Sequence, residues 1–262
     1  LKPYKGLFRL QVNGDMHTIH TDSHGGFETK LTGDFNRPLT FLEKDGTTPI
    51  SQLHTYQHIF DYRDATYMVV SDIDDTILVS KSSLFFSKLW LMLFRQTARR
   101  SFVEETECAY RRLMKTNVPF VYVSASEYNL YSIISNFIVY HDLPVGPILL
   151  RPFQRWKNVV KSKSRLEYKI NRIERLIAQF PDTRFILFGD DSQHDPLVFE
   201  RIASKYPKNV RSVFLRKTGW GEPFEIQLPP ADNTDIDVHL YEHFSEIEKP
   251  VNNLINEITA GR

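Results

Sequence analysis

Residues 66–78 read Thr66-Tyr67-Met68-Val69-Val70-Ser71-Asp72-Ile73-Asp74-Asp75-Thr76-Ile77-Leu78. The apolar run from Tyr67 to Val70 reads as a short buried strand. It stops in three carboxylates, Asp72, Asp74 and Asp75, before the chain turns apolar again at Ile77 and Leu78. Unpaired carboxylates resist desolvation, so a buried strand ending in acids needs something to offset the charge. The usual agents are a cation, a metal or a phosphate-handling site. Asp72 and Asp74 are two residues apart, share one face of a strand and can converge at its frayed C-terminal end. That edge of a parallel sheet is where open α/β folds place their ligands. The plainer alternative is an acidic turn, or a helix cap, following a core strand.

The 262 residues suffice for a large core in one or two domains. Apolar and charged fractions are those of an ordinary soluble protein. With 33 basic and 32 acidic residues no global field favours a polyanion, and no nucleic-acid partner is expected. The single cysteine, Cys108, cannot form an internal disulfide, which points to a reducing, cytoplasmic compartment. We expect Cys108 to be a small apolar residue buried in a helix rather than a reactive thiol. The chain opens at Leu1 with no charged-then-apolar leader, so the expectation is a trimmed chain. Its most apolar stretch, 84–94, is interrupted by Lys88 and falls short of the roughly 20 residues a spanning helix needs. An integral membrane protein is therefore not expected.

The texture changes along the chain. Residues 7–12 and 17–20 are short extended candidates joined by Asn13-Gly14-Asp15, and Asn-Gly is a strong hairpin signal. Residues 27–31 alternate like a half-exposed strand. We read 1–62 as a small β module, open to being incomplete at its N-terminus. From Ala65 onward strands alternate with helices, the sign of βαβ units and a parallel sheet. Strands are expected at 67–71, 119–124, 147–150, 184–189 and 210–215. Helices are expected at 102–115, 128–141, 166–180, 196–205 and about 241–259. Leu166, Ile170, Ile173, Ile177 and Phe180 form one apolar helical stripe, with Lys169, Arg172 and Arg175 off it.

Two further strand ends carry polar residues that would meet the first. The strand Phe120-Val-Tyr-Val123 runs into Ser124-Ala-Ser126, and Phe185-Ile-Leu-Phe188 runs into Gly189-Asp190-Asp191, with Asp195 just beyond. Lys169 lies on the helix before the latter strand. A candidate nucleophile, a hydroxyl, an ammonium and a second acidic cluster are the parts phosphoryl transfer needs, because its catalysis is mostly positioning and charge stabilisation. Taken singly, each residue also has a plainer role. Ser124 can cap a strand end, Lys169 can lie on a solvated helix face, and Asp190 or Asp191 can cap the next helix.

With Asp72-Ile73-Asp74-Asp75-Thr76 as an Asp-x-Asp-x-Thr motif, the constellation resembles the haloacid dehalogenase superfamily of Mg²⁺-dependent phosphohydrolases. Within it, four stretches resemble the actin-patch-protein type of phosphatidate phosphatase. They are Tyr122-Val-Ser-Ala-Ser126, Asn129-Leu130-Tyr131, His141-Asp-Leu-Pro-Val-Gly-Pro-Ile-Leu-Leu-Arg151 and Gly189-Asp-Asp-Ser-Gln-His-Asp-Pro196. The resemblance covers roughly 65–217 and implies an α/β fold, a three-layer Rossmann-like parallel sheet. The domain would run over 63–262, with a helical cap-like insertion at about 79–116.

By that resemblance Asp72 is the nucleophile that forms an aspartyl phosphate, and Asp74 is the acid that protonates the leaving alkoxide and then the base for water. Ser124 would bond a phosphoryl oxygen, and Lys169 would offset charge on Asp72 and the phosphate. Thr76 would shape the loop. Mg²⁺ would be held by Asp72, Asp74 through its main-chain carbonyl, and Asp190, with waters completing its shell. Asp191 and Asp195 both stand where a further ligand could lie, and the spacing accommodates either. The chain departs from the family pattern at Glu127-Tyr128 in place of Pro-Trp, at Tyr168 where His is frequent, and at Asp191 where Ser is common. Within the insertion, the apolar run 84–94 is followed by Arg95, Arg99 and Arg100. Residues 84–100 could therefore touch a membrane surface peripherally, or pack over the site. The expected reaction is Mg²⁺-dependent phosphomonoester hydrolysis, with phosphatidate as substrate. The rival readings are a phosphatase for a soluble phosphomonoester and a non-catalytic membrane adaptor on the same fold.

Overall fold

The computed structural model describes residues 6–21, 27, 29, 40–50, 60–73, 76, 104–151, 162–191, 194–219 and 235–261. The apolar-basic stretch 84–100, most of the expected insertion, and Asp74 with Asp75 lie outside these. The chain divides into two compact units, one formed by Leu1–Thr55 and one by Tyr56–Arg151 with Arg155–Arg262.

In the first unit β1 (Leu7–Val12), β2 (Asp15–His20) and β3 (Thr40–Leu42) form an antiparallel sheet in the order β2-β1-β3. Asn13 and Gly14 both have positive φ, at 54° and 98°, as the tight two-residue hairpin turn demands. Phe8, Leu10 and Val12 alternate inward along β1 and pack with Ile19. The strand expected at 27–31 falls mostly outside the described residues, and β3 was not anticipated. Phe27 itself lays its ring edge-on to Phe8, with centroids 5.0 Å apart.

The second unit is a six-stranded parallel sheet covered on both faces. Its strands are β4 (Tyr67–Ser71), β5 (Phe120–Glu127), β6 (Ile148–Arg151), β7 (Arg184–Asp190), β8 (Val210–Arg216) and β9 (Asp237–Tyr241). They lie in the order β6-β5-β4-β7-β8-β9, each neighbouring pair parallel. The helices are α1 (Glu104–Met114), α2 (Tyr131–Tyr140), α3 (Ser162–Gln179), α4 (Asp195–Lys205) and α5 (Phe244–Ala260). One core joins α1, α2 and α5 to the sheet through Tyr110, Phe120, Ile134, Phe188, Phe214 and Leu254. The other joins α3 and α4 to its opposite face through Val70, Ile170, Ile173, Leu187, Phe199 and Ile202. Burial on both faces explains why β4 and β7 read as continuous apolar runs rather than alternating ones.

From β4 the chain steps outward to β5 and β6, then returns to the other side of β4 as β7. The reversal makes β4 the switch point, and it opens a crevice at the C-terminal ends of β4, β5 and β7. Three expectations require correction. The terminal helix expected from about 241 begins at Phe244, because Asp237–Tyr241 is the edge strand β9 and Tyr241 points into the core. Residues 128–130 form a separate 3₁₀ turn before α2. Cys108 is exposed, on the side of α1 away from Thr106, Ala109, Tyr110 and Leu113, which face the core. That helix, at the end of the stretch expected as an insertion, packs against α5 and the sheet. Among the described residues no helix is long and apolar enough to cross a membrane.

Gly146, just before β6, lies so close to β5 that an added Cβ would fall 1.9 Å from the Phe120 carbonyl oxygen. Gly146→Ala must displace backbone rather than a side chain. We expect a loss of at least about 2 kcal/mol in urea denaturation. An unchanged midpoint would refute so close an approach.

Candidate active site

Asp72 follows the last residue of β4, and its backbone N–H donates to the carbonyl of Phe188 on β7 at 2.9 Å, which carries the pairing one step past the strand. Its carboxylate is buried beside Lys169, with Nζ 2.7 Å from Asp72 Oδ1. Lys169 comes from the second turn of α3 and also pairs with Asp195, at 2.5 Å, the first residue of α4. Asp190 ends β7, and its backbone N–H reaches Asp195 Oδ2 at 3.4 Å. One carboxylate oxygen from each of Asp72, Asp190 and Asp195 lies within 4.8 Å of the others, and all three residues are buried.

The charges are held together by mutual need. Burial alone would pull the Lys169 pKa down. The ion pairs with Asp195 and Asp72 outweigh it and hold the ammonium well above its ordinary range. Lys169 is thus no solvated helix residue: it is 6% exposed, and the helix turns it inward beside the apolar stripe. Three formal negative charges against one positive leave an excess of two, in a place where charge is hard to desolvate.

Neighbouring groups fix the cluster in place. Ser71 Oγ donates to the Asp72 carbonyl at 2.5 Å. It bonds the Tyr110 hydroxyl as well, and since its one hydrogen is already used, Tyr110 is the donor there. Burial keeps that phenol neutral by raising its pKa well above the usual value, although the bond to Ser71 works the other way. On the far side, a Cβ on Gly189 would stand 2.6 Å from Asp195 Oδ2 and 2.7 Å from Phe199 Cε2. Only glycine lets Asp195 lie against β7.

Ser124, at the C-terminal part of β5, is buried, and its Oγ accepts the Ser126 backbone N–H at 2.9 Å. That bond is local, within β5, which runs on to Glu127 rather than ending at Ser124. It uses a lone pair of the hydroxyl oxygen. The Asp191 carboxylate is turned to Thr218, accepting its N–H at 2.8 Å and its hydroxyl at 2.6 Å. Of the two acids offered by the spacing after Asp190, Asp195 joins the cluster and Asp191 ties β7 to the segment after β8. Asp74 lies outside the described residues. Thr76 is buried, and its hydroxyl meets no hydrogen-bond partner among the described residues. Sequence reasoning missed Ser71 and Tyr110. A polar residue closing the strand before the acids was their only signal.

The model of the phosphatidate phosphatase APP1 catalytic domain matches residues 67–217. Phosphatidate phosphatase APP1 of Saccharomyces cerevisiae is 25% identical over 202 residues, which is 75% of this chain and 34% of that protein. An uncharacterized protein of Schizosaccharomyces pombe is 22% identical over 150 residues, 56% of this chain and 24% of its own length. The chain therefore spans only a minor part of the curated relatives it matches. A solved structure, DsGPDH of Dunaliella salina, overlays 72% of this chain and 36% of its own at a TM-score of 0.40 and 13% identity, too distant a likeness to carry weight. With more than half of its residues inside the family match, the chain belongs to the phosphatidate phosphatase APP1 catalytic-domain family.

Proposed function

We propose that this domain is a Mg²⁺-dependent phosphomonoester hydrolase that works through an aspartyl phosphate, with phosphatidate as its substrate. The observation that carries the reading is Lys169 closed between Asp72 and Asp195 beside Asp190, at the switch point of the sheet. The substrate class follows from the family and from the activity named for the budding-yeast relative.

Asp72, Asp190 and Asp195 suit a divalent cation. All three offer hard carboxylate oxygens, they converge within 4.8 Å, and their formal excess of two negative charges equals the charge of the ion. Mg²⁺ held there would neutralise charge developing on the transferring phosphoryl group. The Asp72 carboxylate attacks phosphorus in line, and the bond to the leaving alkoxide breaks. Asp74 gives that alkoxide its proton, releasing diacylglycerol. Asp74 then removes a proton from water, whose oxygen attacks the aspartyl phosphate and frees Asp72 and inorganic phosphate. Lys169, 2.7 Å from Asp72 Oδ1, orients that carboxylate for attack. The Ser124 hydroxyl donates to a phosphoryl oxygen.

Asp72→Asn keeps the size of the side chain and removes the nucleophile. Phosphate release from phosphatidate in mixed micelles should fall by at least about 10³-fold, with the circular dichroism unchanged. Full turnover in that variant would sink the mechanism. A release panel of phosphatidate, lysophosphatidate and soluble phosphate esters, with and without Mg²⁺, tests the substrate. Faster turnover of sugar phosphates than of phosphatidate would overturn the lipid assignment.

Gly189→Ala displaces Asp195 without touching a reacting group. The Mg²⁺ concentration for half-maximal activity should rise about 10- to 100-fold, and the rise in melting temperature that Mg²⁺ confers on the wild type should shrink in parallel. Equal Mg²⁺ stabilisation of the variant and wild type would remove Asp195 from the metal set.

A further inference from the structure

β6 ends in Arg151, the strand beside the one that carries Ser124. Arg151 pairs in register with Glu127, beyond a shift in the β5–β6 ladder between Val123 and Glu127. It is 8% exposed. A guanidinium so buried is unfavourable unless its donors are met. Among the described residues its one carboxylate contact is Glu127, with Oε1 3.5 Å from Nη2, well outside the range of a good charge-assisted hydrogen bond. Its Nε and Nη1 meet no acceptor among the described residues. The Glu127 contact leaves most of the fork unsatisfied, so an ion pair with Glu127 does not account for burying the charge.

The position agrees with an external acceptor. Two strand spacings, about 10 Å, separate the backbones of β6 and β4, and β5 with Ser124 lies between them. The groups that act electrostatically on Arg151 are Glu127, Arg165 and Tyr168. Arg165 and Tyr168 stand one turn before and one residue before Lys169 on α3. The Tyr168 hydroxyl already accepts from Arg172 Nε at 3.2 Å, and the Arg172 guanidinium lies over its ring. Arg165 and Tyr168 thus stand near Arg151, and Glu127 is the acid that acts on it. A buried guanidinium with unmet, planar donors is suited to an oxyanion.

We propose that Arg151 is a substrate-binding residue of this site, its unmet guanidinium N–H groups donating to non-bridging oxygens of a phosphate monoester dianion. The inference rests on the reading of the crevice as a phosphoryl-transfer site. It adds a phosphate contact on the β6 side, across from Lys169, that holds the ester from the flank away from the acids.

Arg151→Met and Arg151→Lys are compared with the wild type after circular dichroism and thermal melting establish that they are folded. The probe is inorganic phosphate with Mg²⁺ present, read both as an inhibition constant against phosphatidate micelles and as direct binding by calorimetry. Arg151→Met should weaken phosphate about 10- to 100-fold, the worth of hydrogen bonds to a charged group, and raise KM for phosphatidate by a similar factor with a smaller change in kcat. Arg151→Lys should recover part of both. Unchanged phosphate affinity in the folded Met variant overturns the proposal. So does a higher KM for phosphatidate without a matching loss of phosphate affinity, which would place Arg151 against the glycerol or acyl part. If Arg151→Met does not fold, the same criteria apply to Arg151→Lys. If the wild type hydrolyses no phosphomonoester, the reaction is misassigned, and the calorimetric comparison alone decides Arg151. No phosphate binding by the wild type overturns both.

Discussion

An ammonium enclosed between two carboxylates, Lys169 between Asp72 and Asp195, is the interaction on which the rest of the site depends. It draws together the end of β4, the second turn of α3 and the first residue of α4, elements far apart in sequence. Removing Lys169 would leave the buried carboxylates unmatched, the most damaging way to break such a cluster. Lysine suits the place better than arginine. A compact ammonium with three donors can bond two carboxylates at 2.7 and 2.5 Å, whereas a planar guanidinium spans a wider fork and favours one carboxylate bidentately.

The scaffold reaches the cluster through contacts that transmit position. Tyr110 packs edge-on to Phe120 and Phe188, with centroids 5.2 and 5.1 Å away, and Phe188 stacks on Phe214 at 4.6 Å. The hydroxyl of that same Tyr110 ends at Ser71, which holds the Asp72 carbonyl. The aromatic core on one face of the sheet thus sets the backbone from which the candidate nucleophile projects. On the other face Phe199 and Asp195 close over Gly189. Core packing and site geometry are one arrangement here, and positional precision of this kind is what phosphoryl transfer demands.

Much of this was legible in sequence, because buried parallel strands announce themselves as apolar runs. β4, β5, β6, β7 and β8 all lie where such runs stand. β9 was hidden because Asp237-Val-His-Leu-Tyr241 is an edge strand with polar outward positions, and its Tyr241 fits a helical stripe just as well. Cys108 was misplaced because residue type alone favours burial, whereas the 3.6-residue period of α1 turns it to solvent. Asp72 and Asp190 could be picked out by residue type at strand ends, and Lys169, on the helix before β7, by the motif context around it. Their union could not be derived from spacing, since it depends on how α3 packs against the sheet. Ser71 and Tyr110 act through a hydroxyl pair 39 residues apart, a contact with no local signature.

The choice between Asp191 and Asp195 shows what decides which acid joins a buried cluster when spacing does not. Asp191 follows β7 directly, and the strand's exit turns it toward the segment after β8, where the Thr218 N–H and hydroxyl occupy it. Asp195 opens α4 ahead of Pro196, where the positive end of the helix dipole favours a carboxylate, and the bare Cα of Gly189 gives it room. The outcome is a buried cluster whose own charges do not cancel: three acids face one ammonium. Buried charge of one sign is costly where nothing offsets it. Folding alone brings Asp72, Asp190 and Asp195 within 4.8 Å of one another; in the unfolded chain the same acids lie dispersed in water. The domain folds with that repulsion in place because Lys169, the backbone bond at Asp72 and the room left by Gly189 hold the three acids where they are.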